Sequence, residues 1–149
     1  DAELSADTAP FERLAPHAQI GMTAHIVFTD WDAERPATQS PWVLENIIRG
    51  RIGFDGLLLT DDIDMQALDG TIPERSARAL EAGCDLALNC WAKMDDMRGI
   101  AERCGTISEE SATRLERALA SVEIPQEPAN IGALVEMRDA LFSAAGLEP

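Results

Sequence analysis

Apolar residues fall along the chain in short uniform runs that alternate with stretches of helical spacing, and the rhythm occurs three times. Gln19-Ile20-Gly21-Met22-Thr23-Ala24-His25-Ile26-Val27-Phe28 has the shortness and β-branched bias of a buried strand, and Asp30, Asp32 and Pro36 place a long loop after it. Ser40-Pro41 supplies a cap and a first-turn proline for a helix with Leu44, Ile47 and Ile48 at helical spacing before Gly50 and Gly53. Gly53-Phe54-Asp55-Gly56 then turns the chain into Leu57-Leu58-Leu59-Thr60. That run is too uniformly apolar for a sheet with one wet face and predicts a central parallel strand. Thr71-Ile72-Pro73-Glu74 has the form of a capping box, opening a helix with Ala77 and Leu80 on its inner stripe and stopping near Gly83. Asp85-Leu86-Ala87-Leu88-Asn89-Cys90 predicts a third strand, and Asp95 to Cys104, with Met97, Ile100 and Ala101, its helix.

The remainder reads as helical. Ser108 with Glu109 and Glu110 gives a cap and a dipole-matched first turn, followed by Ala112, Leu115, Leu119 and Val122 on one face. Pro125 and Pro128 interrupt it, and Asn130 begins a last amphipathic helix with Ile131, Leu134, Val135, Leu141 and Phe142, expected to pack on the outside. The strand starts recur at about 30 residues or somewhat more, the length of a βαβ unit, so the fold class is α/β. Three units do not close a barrel, which takes eight and about 250 residues. Two structures stay open: a small open sheet, or the C-terminal portion of a larger (β/α) barrel whose edges pair with absent polypeptide or with a second copy.

Composition adds exclusions. The 149 residues are 46% hydrophobic, enough for one domain with a core. Asp plus Glu number 27 against 12 Lys plus Arg, a formal net charge of −15, so neither nucleic acid nor an anionic membrane surface is an expected partner. No apolar run approaches the roughly 20 residues of a membrane span, and Asp1-Ala2-Glu3-Leu4 lacks the basic start of a signal peptide. Cys84, Cys90 and Cys104 are an odd number with no ligand-like spacing to the two histidines, so neither a disulfide framework nor a zinc site is indicated, and a reducing cytoplasm is the expected setting.

Candidate chemistry concentrates in Leu59-Thr60-Asp61-Asp62-Ile63-Asp64-Met65, because the C-terminal ends of parallel strands face the ligand crevice. Period-two alternation puts Leu57, Leu59 and Asp61 on one side and Leu58, Thr60 and Asp62 on the other, so the first two aspartates have different jobs. From position alone, two other readings stand. In one, the aspartates decorate a loop, with Asp64 capping a short helix from Met65 to Leu68. In the other, Asp61, Asp62 and Asp64 are oxygen ligands for magnesium, a reading weakened because the sole lysine is Lys93 and no Gly-rich phosphate loop is present.

Met22-Thr23-Ala24-His25-Ile26, Pro36-Ala37-Thr38 with Ser40, Ile48-Arg49, Ile52-Gly53-Phe54-Asp55-Gly56-Leu57, Thr60-Asp61-Asp62-Ile63-Asp64-Met65 and Ala82-Gly83-Cys84-Asp85 together resemble glycoside hydrolase family 3. The order and spacing of these blocks agree from about residue 10 to about residue 91, most closely with the bacterial β-N-acetylhexosaminidases of peptidoglycan recycling. The resemblance implies the last three β/α units of a TIM-type barrel plus C-terminal helices, an incomplete barrel over residues 1–122 with a helical extension over 123–149. It implies that Asp61 is the nucleophile of a retaining glycosidase acting on terminal β-linked N-acetylglucosamine of cell-wall-derived saccharides. The resemblance implies no cofactor or metal, and the family's general acid/base, an Asp-His pair on a loop after the fifth strand, matches no position here. The chain is therefore expected to be a fragment, inactive alone, whose partner is the N-terminal part of the barrel or a second copy.

The resemblance also implies substrate contact for His25 and Met65. His25, near the end of the first strand, could hydrogen-bond the surroundings of the nucleophile, a sugar hydroxyl or only the core. Met65 is expected to pack beneath the nucleophile loop. His17 reads as a loop residue, Trp31 as a sugar platform or a hydrophobic plug, and Asn89 with a buried Cys90 as crevice residues. Asp62 is expected to accept the backbone N–H bonds that fix the loop.

Overall fold

The computed structural model describes residues 2–122 and 130–147. Helix α1 (Ala2–Leu14) precedes strand β1 (Ile20–Met22) and a single 3-10 turn (Ala37–Gln39). A π-wound helix (Val43–Arg51), strand β2 (Leu57–Leu59) and helices α2 (Ile72–Ala82), α3 (Met94–Cys104), α4 (Glu109–Ala120) and α5 (Ile131–Ala144) follow. The class is α/β, as the pattern predicts. The expected breaks at Pro125 and Pro128, and the boundary drawn after residue 122, fall at or within residues outside those described.

The two strands are parallel, with Ile20 opposite Leu57, Gly21 opposite Leu58 and Met22 opposite Leu59. β1 is far shorter than its apolar run. Beyond Met22 the carbonyls of Ala24 and Ile26 accept the N–H groups of Thr38 and Ala37, so the backbone bends to the 3-10 turn instead of extending the ladder. It is also not buried: Ile20 is 54% and Met22 57% exposed. The third run forms a single parallel bridge, Leu59 with Leu86, rather than a strand. Thr60 N–H donates to Leu86 O, but the next rung goes to a side chain, Leu88 N–H to Thr60 Oγ1 at 2.9 Å, and the regular ladder ends there.

The core is centred on β2. Leu58, 2% exposed, packs with Leu44, Phe54, Ala79, Ala82 and Cys84, while Ala37, Val43 and Ile47 form a second cluster against Phe28 and Trp31. The π-helix starts where Ser40 was expected to cap it, with Ser40 Oγ accepting Val43 N–H at 3.2 Å. Its winding is seen in Ile52 N–H donating to Ile47 O, one residue beyond the α spacing. α2 has the expected capping box, Glu74 Oε2 accepting Thr71 N–H at 2.9 Å, and ends on Gly83 at φ +117°, a left-handed C-terminus suited to glycine.

Two helices do not bury the faces that their apolar spacing predicts. α4 turns Ser111 and Ala118 inward and leaves Leu119 and Val122 more than half exposed, because Asp85 takes Ser111 Oγ at 2.7 Å and Arg114 Nη1 at 3.0 Å. α5 starts on the expected Asn130 cap, yet none of its residues is buried, and Ile131, Leu134 and Leu141 stand in solvent. An open apolar groove of about 400 Å³ runs between α1 and β1, lined by Phe11, Leu14, Ile20, Met22 and Phe28, and it does not include the acidic loop.

Candidate active site

The acidic loop leaves the buried end of β2. Thr60, fully buried, is held through its N–H and its hydroxyl by the segment around Leu86 and Leu88, which sets the direction in which the next residue emerges. Asp61 is partly buried, and its Oδ1 accepts the N–H of Asp62 at 2.8 Å. Among the described residues Oδ2 of Asp61 has no hydrogen-bond partner, so one carboxylate oxygen is available to an electrophile.

The neighbouring aspartates make different bonds. Asp62 Oδ1 accepts Asp64 N–H at 3.1 Å and Cys90 N–H at 3.1 Å. Burial pushes the Asp62 carboxyl up, but the N–H groups of Cys90 and Asp64 outweigh it, and the group lies below its ordinary value. Asp64 Oδ2 accepts Trp91 N–H at 3.3 Å, so Asp64 bonds the 86–91 segment rather than capping a helix from Met65 to Leu68, where none forms. Among the described residues no three His, Cys, Asp or Glu side chains are gathered where they could hold a metal ion.

Backbone bonds fix the loop from both sides. Ile63, fully buried, donates its N–H to Leu88 O at 2.9 Å, and Arg75 Nη1, one turn into α2, donates to Ile63 O at 3.0 Å and Met65 O at 3.2 Å. His25 reaches the same loop from the β1 side: Nε2 lies 3.0 Å from Asp62 O, Nδ1 2.8 Å from Thr38 Oγ1, and Thr38 Oγ1 2.8 Å from Thr23 Oγ1.

Asp61, Asp62 and His25 thus share one end of the sheet, while other residues sit elsewhere than expected. Met65 is 44% exposed rather than packed beneath the loop, whereas Ile63 and Leu68 on either side of it in sequence are buried. Cys90 is exposed, not buried, because the segment ends its pairing at Leu88. Trp31 packs against Phe28, ring centroids 5.1 Å apart, and closes the second core cluster as a plug. His17 is an exposed loop residue. Asn89 Oδ1 accepts Ala92 N–H at 2.8 Å, beside Ala92 at φ +48°.

Three residues without an assigned role from the sequence prove central. Thr38 and Asp85 lie in blocks that carry the family resemblance, which was their only signal. Arg75 had none beyond its place in the first turns of α2. Asp85 is the main buried ionic group, receiving Leu58 N–H and Arg49 Nη2, each at 2.8 Å, together with Ser111 and Arg114. It ties β2 to the π-helix and α4 and so sets the strand from which Asp61 projects.

Comparison with known proteins places this arrangement. Residues 3–123 match the family described as glycosyl hydrolase family 3 N terminal domain. A β-hexosaminidase of Tolumonas auensis is 40% identical over 88 residues, 56% of this chain and 26% of that protein. Native NagZ of Neisseria gonorrhoeae superposes with a TM-score of 0.62 at 34% identity, covering 78% of this chain and 33% of that one. A family 3 β-N-acetylglucosaminidase of a Paenibacillus species gives 0.65 at 26% identity, covering 82% of this chain and 26% of that one. The chain spans about a quarter of the length of the curated relatives it matches. A family match over most of its length, joined to sequence blocks that converge on one acidic loop at a strand end, shows that this chain belongs to glycosyl hydrolase family 3.

Proposed function

We propose that this chain is the C-terminal portion of a (β/α) barrel in a retaining β-N-acetylhexosaminidase, with Asp61 as its nucleophile. The observation that carries the reading is Asp61 itself: it directly follows the fully buried Thr60, two residues beyond the end of β2, with one oxygen bonded to Asp62 N–H and the other open among the described residues. In the reaction Asp61 Oδ2 attacks the anomeric carbon, the glycosidic C–O bond breaks as the leaving oxygen takes a proton, and a covalent glycosyl-enzyme forms. Water then attacks the same carbon, gives up a proton, and the sugar leaves with retained configuration. A short aspartate on a loop bonded from both sides keeps the attacking oxygen in place for both steps. The substrate is a terminal β-linked N-acetylglucosamine of a cell-wall-derived saccharide, and Met65, exposed at the mouth of the loop, is positioned to touch it.

The proton donor for the leaving oxygen belongs to polypeptide outside this chain, so the 149 residues alone hydrolyse no chromogenic N-acetylglucosaminide. The deciding experiment is trapping with a fluorinated N-acetylglucosaminide in the full-length enzyme that carries these residues, followed by peptide mass spectrometry. Label on Asp61 is expected; label elsewhere overturns the assignment.

One observation favours a second reading, a half-barrel that assembles through its open edge. β1 pairs on one side only among the described residues, and its Ile20 and Met22 face solvent. Light scattering separates the two: a monomer at high concentration removes the assembly reading.

A further inference from the structure

We infer that His25 is a positioning residue for Asp61, held in one tautomer by Thr38 and acting through the peptide between Asp62 and Ile63. The inference rests on the reading of Asp61 as nucleophile. A carbonyl oxygen only accepts, so the 3.0 Å contact between His25 Nε2 and Asp62 O requires the proton on Nε2. In the neutral ring Nδ1 is then an acceptor, and its 2.8 Å partner, the Thr38 hydroxyl, must donate to it. The Thr38 oxygen in turn takes the proton of Thr23 at 2.8 Å. Thr38 is fully buried and Thr23 is 5% exposed, so this order of donors is sheltered from water. Both nitrogens of the imidazole are thereby engaged by the protein, and the role left to the ring is holding the loop.

What it holds is one peptide unit. Its carbonyl, from Asp62, receives His25, and its N–H, from Ile63, donates to Leu88 O at 2.9 Å. The unit is therefore clamped between the segment after β1 and the segment after the Leu86 bridge. The residue at its start, Asp62, donates its own N–H to Asp61 Oδ1. Fixing that residue fixes the donor that orients the Asp61 carboxylate and leaves Oδ2 pointing away from the backbone. Thr38 lies 13 residues from His25, and His25 lies 37 from Asp62, so the clamp joins three parts of the chain at one end of the sheet.

The test uses the isotope-labelled chain without substrate. Long-range proton–nitrogen correlation is expected to show His25 as the Nε2–H tautomer, with His17 as the internal reference. Thr38→Val should release that preference. His25→Ala should speed amide exchange of Ile63 by roughly tenfold while Leu58, in the core, is unchanged; His25→Gln, which keeps an N–H donor, should restore much of the protection. In the full-length enzyme His25→Ala should lower kcat with KM little changed, and His25→Gln should recover part of it. An Nδ1–H tautomer, or exchange that rises equally at Ile63 and Leu58, overturns the inference and leaves the nucleophile assignment intact. Trapping on a residue other than Asp61 overturns the nucleophile assignment whatever the tautomer.

Discussion

Asp85 and Arg49 meet across 36 positions of sequence: Arg49 Nη2 lies 2.8 Å from Asp85 Oδ2, and the Asp85 side chain is 2% exposed. Arg49 also donates to the carbonyls of Phe54 and Gly56, so one guanidinium joins the turn before β2 to the carboxylate behind it. Removing the carboxylate takes the buried ionic partner from two arginines, Arg49 and Arg114, of which Arg114 alone keeps other carboxylates, Glu110 and Asp55. Asp85→Ala is expected to cost about 3–5 kcal/mol of stability, read as a lower urea midpoint.

The same group gives the stability an acid limb. Burial pushes the Asp85 carboxyl up, but the Leu58 N–H, Ser111 and Arg114 outweigh it and hold it below its ordinary value of 3.8. A value depressed by folding means that its contribution is complete above that ordinary value and is lost as pH falls through the folded-state value. Urea midpoints should therefore not change with the titration of Asp85 near neutral pH and should fall below about pH 4 on its account, and Asp85→Asn should flatten that part of the curve.

Cysteine reactivity should separate two environments. Burial pushes the Cys84 thiol up to about 12, so it should resist iodoacetamide at pH 8 until urea unfolds the chain. Cys90 is exposed, but desolvation and the nearby Asp62, Asp64 and Asp61 carboxylates raise it. It should react more slowly than an ordinary surface thiol, and faster in Asp62→Asn. Peptide mass spectrometry over a time course reads both sites.

Gly56 admits no side chain. A methyl group there would sit 2.5 Å from Phe54 Cζ and 2.6 Å from Gln19 O, and the latter is fixed because it accepts Leu57 N–H at 2.9 Å. Gly56→Ala is expected to lose about 1–3 kcal/mol by overpacking, measured by thermal or urea unfolding, with disruption of the pairing between Gln19 and Leu57.

Elements whose cause is local were legible in the sequence. Thr71 with Glu74, Ser108 and Asn130 each announce a helix start by a bond within three residues, and each bond is present. Leu57-Leu58-Leu59 was legible because burial on both faces leaves a uniform run. What failed depended on distant partners. α1 was not foreseen, since Pro10 interrupts its helical pattern. The third run became one bridge because the Thr60 hydroxyl took the N–H that a ladder needed. The inward face of α4 follows Asp85, which no spacing within α4 reveals. At the site, the backbone bonds that Asp62 accepts were readable from its place just after the strand, whereas the bonds from His25 and Arg75 to the loop span 37 and 12 positions and have no local signature.

The open edge of β1 sets how the isolated chain should behave as a colloid. At −15 formal charge, copies repel one another at long range, while the outer edge of β1, without a partner strand among the described residues, is adhesive at contact beside Ile20 and Met22. Salt decides between the two, because the screening length shrinks from about 30 Å at 0.01 M to about 8 Å at 0.15 M. Dilute buffer should keep the molecules dispersed, and moderate salt should bring them together strand to strand.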